Sequence, residues 1–89
     1  MAKVTMYTTP WCGYCAAARK LLQSKNIEFN DIDVGMNADL RREMTDKSGG
    51  TTVPQIFINN EHIGGYDDMA ALDEQGDLDQ LLDQNAPSA

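Results

Sequence analysis

The sequence predicts an α/β protein built on a four-stranded mixed β-sheet with helices packed against it, in the order β-α-β-α-β-β-α-α. Short segments rich in β-branched and apolar residues alternate with helix-forming segments in the first half of the chain, and a hairpin pattern follows in the second half. With 89 residues, 42% of them hydrophobic, the chain has enough apolar side chains for one core. We therefore expect a single domain over residues 1–89.

The first half predicts two strands, each followed by a helix. Residues 3–7 are a short β-branched and aromatic segment that ends at a Thr-Thr-Pro turn, and residues 27–34 alternate between apolar and polar side chains. The first helix is expected over residues 12–25, which are rich in Ala and Leu. Asn37 or Asp39 can cap the second helix, and a Ser-Gly-Gly segment ends it. Two such steps predict neighbouring parallel strands joined by right-handed crossovers.

The second half begins with a hairpin. Residues 55–58 are an apolar strand segment, and residues 61–63 return as its partner. Asn59 and Asn60 lie between them, and asparagine tolerates the positive φ that a two-residue hairpin turn requires. The last two strands are therefore expected to run antiparallel.

Two short helices complete the chain and carry much of its negative charge. Asp67 or Asp68 can cap the first, Gly76 ends it, and Asp77 opens the second, while residues 86–89 are expected to fray. The formal net charge is −7, and seven acidic residues but no basic ones follow from Asp67 onward. Such a surface repels phosphate backbones and anionic lipid, so neither nucleic acid nor a membrane is an expected partner.

The location expected for the chain is the cytoplasm. No apolar run approaches the roughly 20 residues that cross a bilayer. The first residues, Met-Ala-Lys-Val, lack the apolar segment of a secretory signal.

The segment Trp11-Cys12-Gly13-Tyr14-Cys15 lies where the first strand passes into the first helix. A cysteine at a helix N-terminus meets unpaired backbone N–H groups and the positive end of the helix dipole, which lower the pKa of its thiol. Cys12 is therefore the expected nucleophile, and Cys15, one turn further on, is the expected resolving thiol. A structural zinc site is the alternative, but the chain offers only two cysteines and one histidine, too few N/S ligands for it.

Three motifs together resemble the glutaredoxins, of the bacterial type, over residues 3–83. They are Cys12-Gly13-Tyr14-Cys15 after a strand, Thr-Val-Pro-Gln-Ile-Phe-Ile at residues 52–58, and Gly-Gly-Tyr-Asp-Asp at residues 64–68. The resemblance implies a thioredoxin fold and a dithiol oxidoreductase that reduces disulfides and glutathionylated proteins with glutathione as co-substrate. A monomer is expected, because the two cysteines need an open face to meet bulky substrates.

The resemblance also implies a glutathione site. Pro54 is expected to be cis beside the cysteines, the backbone of Val53 to pair with the cysteinyl part of glutathione, and Asp67 to hold its γ-glutamyl end. An alternative role for Asp67 is that of an N-cap. His62 is expected to be a surface or packing residue. The predicted glutathione contacts are Tyr14, Arg41 (with Arg42 as its rival), Thr52, Val53, Pro54, Gly65, Tyr66, Asp67 and Asp68.

Two departures from the family pattern keep alternatives open. Gly13 stands where familiar members have proline, and this could make room for a [2Fe-2S] cluster held by Cys12 and glutathione across two chains. A lysine often found upstream of the cysteines is absent, so less positive charge is expected at the site. Trp11 directly before Cys12 suggests a further alternative, a thioredoxin-like reductase.

Overall fold

The computed structural model describes residues 2–83. Their secondary structure follows the predicted order of elements. The strands are β1 Val4–Thr8, β2 Asn30–Asp33, β3 Gln55–Ile58 and β4 Glu61–Gly64. The helices are α1 Gly13–Ser24, α2 Ala38–Ser48, α3 Tyr66–Glu74 and α4 Asp77–Asp83. The expected fraying of residues 86–89 lies outside the described residues.

The four strands form one mixed sheet in the order β2-β1-β3-β4. β1 and β2 are parallel, whereas β3 runs antiparallel to β1 and to β4. The expectation that two successive steps give parallel neighbours is therefore correct for β1 and β2 and wrong for β3. After α2 the chain re-enters the sheet at the end where β1 finishes, because Tyr7 pairs with Gln55. The spacing of apolar residues along a strand does not predict the end from which the chain enters the sheet, and so it does not predict the direction of β3.

Alternation along the strands divides the apolar side chains between the two faces of the sheet. On one face, Val4 and Met6 pack with residues of α1, α3 and α4 in the larger core. On the other face, Tyr7 and Val34 pack with Met44 of α2 in a smaller cluster. The larger core contains Val4, Met6, Ala18, Leu22, Ile56, Ile58, Met69, Leu78 and Leu82.

Several predicted boundaries are corrected by the structure. β2 is four residues long, because Ile27 and Phe29 do not join the strand and pack instead against the larger core. α3 begins at Tyr66 with Gly65 as its N-cap, so neither Asp67 nor Asp68 caps it from outside the helix. The hairpin turn is as predicted, with φ of 53° at Asn59 and 67° at Asn60.

Within the part of the chain that the structure describes, no helix combines the length and apolarity needed to span a bilayer.

We expect Asn37→Ala to destabilise the protein by about 1 kcal/mol, the usual cost of losing an N-cap. Asn37 Oδ1 accepts a hydrogen bond of 3.0 Å from the Leu40 N–H at the start of α2. Urea denaturation followed by circular dichroism measures the change in unfolding free energy. Asn37→Ser, which retains a capping oxygen, is the matched control, and equal stability of the Ala and Ser variants would contradict this role.

Candidate active site

The sheet topology brings two loops together at one end of the molecule. β1 ends at Thr8 and α1 begins at Gly13, so Cys12 lies in the first loop. β3 starts beside the end of β1, which places Val53 and Pro54 in the adjacent loop. The Val53–Pro54 peptide bond is cis, as the resemblance predicts. The Cys12 thiol donates a weak hydrogen bond of 3.7 Å to the Val53 carbonyl oxygen.

Cys12 is the N-cap of α1, and its sulfur accepts a hydrogen bond from a backbone N–H in the first turn of the helix. The Cys15 N–H donates to Cys12 Sγ at 3.3 Å. Partial burial acts to raise the pKa of Cys12, but hydrogen bonds from the Cys15 side chain and from the Cys15 and Tyr14 backbone, with the charge of Arg19, outweigh it. The pKa of Cys12 is therefore lowered, which favours the thiolate that acts as nucleophile.

Cys15 lies in the opposite environment. It is buried, and burial is the main reason why its pKa is raised to about 11. A hydrogen bond from the Thr9 backbone opposes this rise, and the neighbouring Cys12 sulfur adds to it. Both cysteines are reduced in this structure. An accessible thiol of low pKa followed one turn later by a buried thiol, beside a cis-proline, defines a thiol–disulfide oxidoreductase of the thioredoxin fold.

Arg19 supplies the positive charge that was expected to be missing upstream of the cysteines. Its Nε lies 2.6 Å from Asp31 Oδ2, and its Nη2 donates to Thr8 Oγ1 at 2.9 Å. The hydrogen bond to Asp31 is the main reason why the pKa of Arg19 is raised, so the guanidinium stays charged. This cation, one helical turn after Cys15 in the sequence, acts on both cysteines, and the sequence motif did not indicate it.

A groove of about 360 Å³ opens between the loop before β3 and the start of α3, and Val53, whose carbonyl oxygen contacts Cys12, is part of its lining. The rings of Tyr14 and Tyr66 stack across it with centroids 6.4 Å apart. Eight of the nine predicted glutathione contacts line it: Tyr14, Thr52, Val53, Pro54, Gly65, Tyr66, Asp67 and Asp68.

The ninth predicted contact, Arg41, lies at the edge of this groove rather than in its lining. Its Nη1 donates to the Thr51 carbonyl oxygen at 3.1 Å, so the guanidinium is held against the loop that leads to Pro54. The rival Arg42 is exposed and lies 3.9 Å from Asp39 on its own helix. The structure therefore brings Arg41, and not Arg42, to the loop that borders the groove.

The two aspartates at the start of α3 have different surroundings. Asp68 Oδ2 accepts a hydrogen bond of 2.9 Å from the Gly65 N–H, so its carboxylate completes the helix start. Gly64 has φ of 120°, and a Cβ at this position would meet the Asp68 carboxylate, so the turn requires glycine. Asp67 is exposed in the groove lining, and no side-chain hydrogen bond joins it to another described residue.

Gln55 and His62 also line the groove, and neither was among the predicted contacts. Gln55 is nearly buried and donates through Nε2 to the Thr52 carbonyl oxygen at 3.0 Å. His62 Nε2 lies 2.8 Å from Gln55 Oε1, and its ring packs on Phe57. Gln55 therefore supports the Thr52 loop, and His62 supports Gln55, in agreement with the packing role expected for His62. In the sequence, the only indication that Gln55 and His62 belong to the site was their proximity to Pro54 and Gly64.

A larger cavity, of about 710 Å³, lies on the α2 side of the sheet. It is bordered by Thr5 and Tyr7 of β1 and by Glu43 and Lys47 of α2. Its lining contains none of the predicted contacts, whereas the smaller groove contains eight of them, including Val53, whose carbonyl oxygen contacts Cys12. The chemistry therefore belongs to the smaller groove.

Comparison with known proteins identifies the family. A family model described as Glutaredoxin matches residues 4–63. Glutaredoxin 3 of Escherichia coli strain K12 is 52% identical to the chain over 82 residues, which cover 92% of this chain and 99% of the relative. The chain belongs to the glutaredoxin family, and it is a glutathione-dependent thiol–disulfide oxidoreductase.

Solved structures agree with this assignment. The solution structure of glutaredoxin from Brucella melitensis is 51% identical, with a TM-score of 0.81, covering 92% of this chain and 89% of that one. The crystal structure of a buckwheat glutaredoxin–glutathione complex is 27% identical, with a TM-score of 0.82, covering 89% and 74%. These matches favour the glutaredoxin reading over the thioredoxin-like alternative that Trp11 suggested.

We expect Arg19→Gln to shift the pH profile of Cys12 alkylation to higher pH. The thiolate is the reactive form, so the rate rises with pH through the Cys12 pKa, and removing a cation raises that pKa. At pH values below the Cys12 pKa the rate should fall by up to about threefold, because a rise of about half a pKa unit lowers the thiolate fraction there by that factor. Iodoacetamide labelling with mass spectrometry measures the profile.

Arg19→Lys retains a positive charge and is the matched control for this experiment. An unmoved profile in Arg19→Gln would show that Arg19 does not contribute to the Cys12 pKa.

Proposed function

We propose that Cys12 attacks glutathione mixed disulfides and protein disulfides, that Cys15 resolves the protein adducts, and that glutathione binds in the groove between Val53 and the start of α3. In the first reaction the Cys12 thiolate displaces the protein thiolate from a glutathionylated protein, forming a Cys12–glutathione disulfide. A second glutathione thiolate then displaces Cys12. One mixed disulfide and one glutathione thus give one protein thiol and one glutathione disulfide.

The observation that carries this proposal is the asymmetry of the two sulfurs. Cys12 accepts the Cys15 N–H at 3.3 Å and has a lowered pKa, whereas Cys15 is buried with a pKa of about 11. At neutral pH one thiol is therefore ionised far more readily than the other, and that thiol contacts the carbonyl oxygen of Val53, which lines the groove. The order of attack follows from this difference.

The Val53 carbonyl supports the placement of the cysteinyl part of glutathione. In the reduced protein this oxygen accepts from the Cys12 thiol at 3.7 Å. As a thiolate or in a mixed disulfide the Cys12 sulfur carries no proton, and the carbonyl is then available to the cysteinyl N–H of glutathione. The backbone of Val53 then pairs with the tripeptide as a short added strand would.

The ends of the groove suit the charged ends of glutathione. The exposed Asp67 can accept from the γ-glutamyl ammonium, while the N–H groups at the start of α3 can donate to the carboxylate beside it. Arg41, held against the Thr51 carbonyl, is the cation nearest to the loop at the other end. We assign it to the glycine carboxylate.

Protein disulfides take a second route through Cys15. Cys12 attack releases one protein thiolate and leaves a mixed disulfide, and the Cys15 thiolate then attacks Cys12 and releases the second. The Cys12 sulfur contributes to the raised pKa of Cys15, and it loses its charge in the mixed disulfide, so this contribution disappears when Cys15 must ionise. Two glutathione molecules then reduce the Cys12–Cys15 disulfide and leave as glutathione disulfide.

We expect Cys12→Ser to abolish turnover and Cys15→Ser to keep substantial activity on glutathione mixed disulfides, because Cys15 is not needed when glutathione resolves the adduct. The assay couples the mixed disulfide of 2-mercaptoethanol and glutathione to glutathione reductase and NADPH. The two variants are controls for each other, since each replaces one sulfur by oxygen. Full activity of Cys12→Ser, or none in Cys15→Ser, would refute the assigned roles.

We expect Asp67→Asn to raise the KM for glutathione about two- to fivefold with little change in kcat, the range for one exposed ion pair. Steady-state kinetics with varied glutathione measures both constants. Asp83→Asn, at the end of α4 and outside the groove lining, makes the same change of charge and is the matched control. An effect of equal size in both variants would indicate a general influence of net charge instead of a contact.

Other expectations stay predictions. In residues 2–83 no group of three or more His, Cys, Asp or Glu side chains is placed to hold a metal ion. One chain offers one accessible thiolate, Cys12, so a [2Fe-2S] cluster would need its remaining ligands from glutathione and a second chain. Visible absorption of anaerobically purified protein would reveal such a cluster.

A single domain over residues 1–89, a monomeric state and a cytoplasmic location remain our predictions. The cytoplasm is predicted because the reaction consumes glutathione.

A further inference from the structure

An exposed apolar surface lies on the opposite side of Cys12 from the groove. It consists of Trp11, Gly35 and Met36, and we refer to it as the β2-side surface. Trp11, directly before Cys12 in the chain, is 67% exposed, and Met36, directly after the Gly35 that meets the Trp11 ring, is 93% exposed. Neither side chain belongs to either hydrophobic core.

The topology separates this surface from the glutathione groove. Cys12 follows β1, which lies inside the sheet. The groove is built by the segments around β3, β4 and α3, on one side of β1. Gly35 and Met36 follow β2, on the other side. Trp11 reaches from the Cys12 loop across to this second side.

Gly35 makes room for the indole of Trp11. A Cβ at Gly35 would lie 2.6 Å from Cη2 and 3.2 Å from Cζ2 of that ring, closer than van der Waals contact allows. The Gly35 N–H donates to Asp33 Oδ1 at 2.8 Å, which fixes the turn after β2. The ring therefore lies against a flat backbone segment with its remaining surface in solvent.

We propose that the β2-side surface binds the polypeptide of a glutathionylated or disulfide-bonded protein substrate, next to its reactive cysteine. This inference rests on the proposed role of Cys12. When glutathione occupies the groove, the departing protein sulfur is bonded to the glutathione sulfur next to Cys12, so the polypeptide that carries it is excluded from the groove. The β2-side surface is exposed on the other side and open to it. Trp11 and Met36 lie there, and tryptophan and methionine are residue types enriched where proteins bind partners.

The charges beside the surface specify the partner further. Asp33 is exposed and neighbours Gly35, and the whole chain carries a net charge of −7. A substrate segment with an apolar side chain and a basic side chain next to its cysteine matches this arrangement. The apolar side chain packs on the indole, and the basic one faces Asp33.

The test compares three substrates in the assay coupled to glutathione reductase. They are a short glutathionylated peptide with leucine and lysine beside its cysteine, the same peptide with glycine and serine there, and the small mixed disulfide of 2-mercaptoethanol and glutathione. We expect Trp11→Ala to lower kcat/KM on the leucine–lysine peptide about tenfold, the scale of losing one buried apolar contact. Activity on the small substrate should stay within about twofold, because it extends no polypeptide over the surface.

Three further variants sharpen the comparison. Trp11→Phe keeps an aromatic ring and should retain most of the activity on the leucine–lysine peptide. Gly35→Ala displaces the indole without removing it and should reproduce part of the loss. Asp33→Asn should reduce the preference for lysine over a neutral residue in the peptide.

Trp11 is the only tryptophan in the chain, so its fluorescence gives a readout independent of turnover. In Cys15→Ser protein whose Cys12 is joined by a disulfide directly to the cysteine of the leucine–lysine peptide without its glutathione, the emission should shift to the blue. It should not shift when Cys12 carries glutathione alone. Equal losses on all three substrates, or equal losses on both peptides, would overturn the proposal. Failure of the proposed function would look different, because wild-type protein would then not turn over the small substrate.

Discussion

The antiparallel pairing of β3 with β1 is the constraint on which the site depends. Because Tyr7 lies opposite Gln55, the end of β1 and the start of β3 meet at the same end of the sheet. That pairing brings the Val53–Pro54 backbone to the sulfur of Cys12, although 41 positions separate Cys12 from Val53 in the chain. The helix that begins after Cys12 then polarises the same sulfur. The pairing of β1 with β3 therefore places the reactive thiol of Cys12 next to the Val53 backbone that is available to bind a peptide.

Two regions of the molecule determine the electrostatics of the site around the Cys12 sulfur. Arg19 is held by Asp31 and Thr8, so a partly buried cation is fixed in an otherwise acidic protein. At the start of α3, which borders the groove, backbone N–H groups are adjacent to exposed carboxylates. An acidic protein can in this way bind an anionic tripeptide, because local dipoles and single fixed charges act at short range while the net charge is screened by salt.

The sequence predicted the order and type of every element, since the turns at Asn59-Asn60 and at the end of α2 have distinctive residues and the core positions follow regular spacing. It did not predict the direction of β3, which depends on how α2 packs on the sheet through Met44. In the site, eight of nine proposed contacts line the groove because they lie in contiguous motifs. Arg19 and Gln55 were not found, because each acts through a partner that only the folded chain brings near.

The burial of Cys15 has a consequence for oxidative damage. Peroxide reacts with thiolates that it can reach, and here that is Cys12 and not the buried Cys15, whose pKa is raised to about 11. A sulfenic acid formed on Cys12 would have an intact thiol one helical turn away, and condensation between them gives a disulfide and water. Glutathione reduces that disulfide, whereas further oxidation to sulfinic acid would be permanent. The buried thiol of Cys15 thus allows oxidised Cys12 to be reduced again.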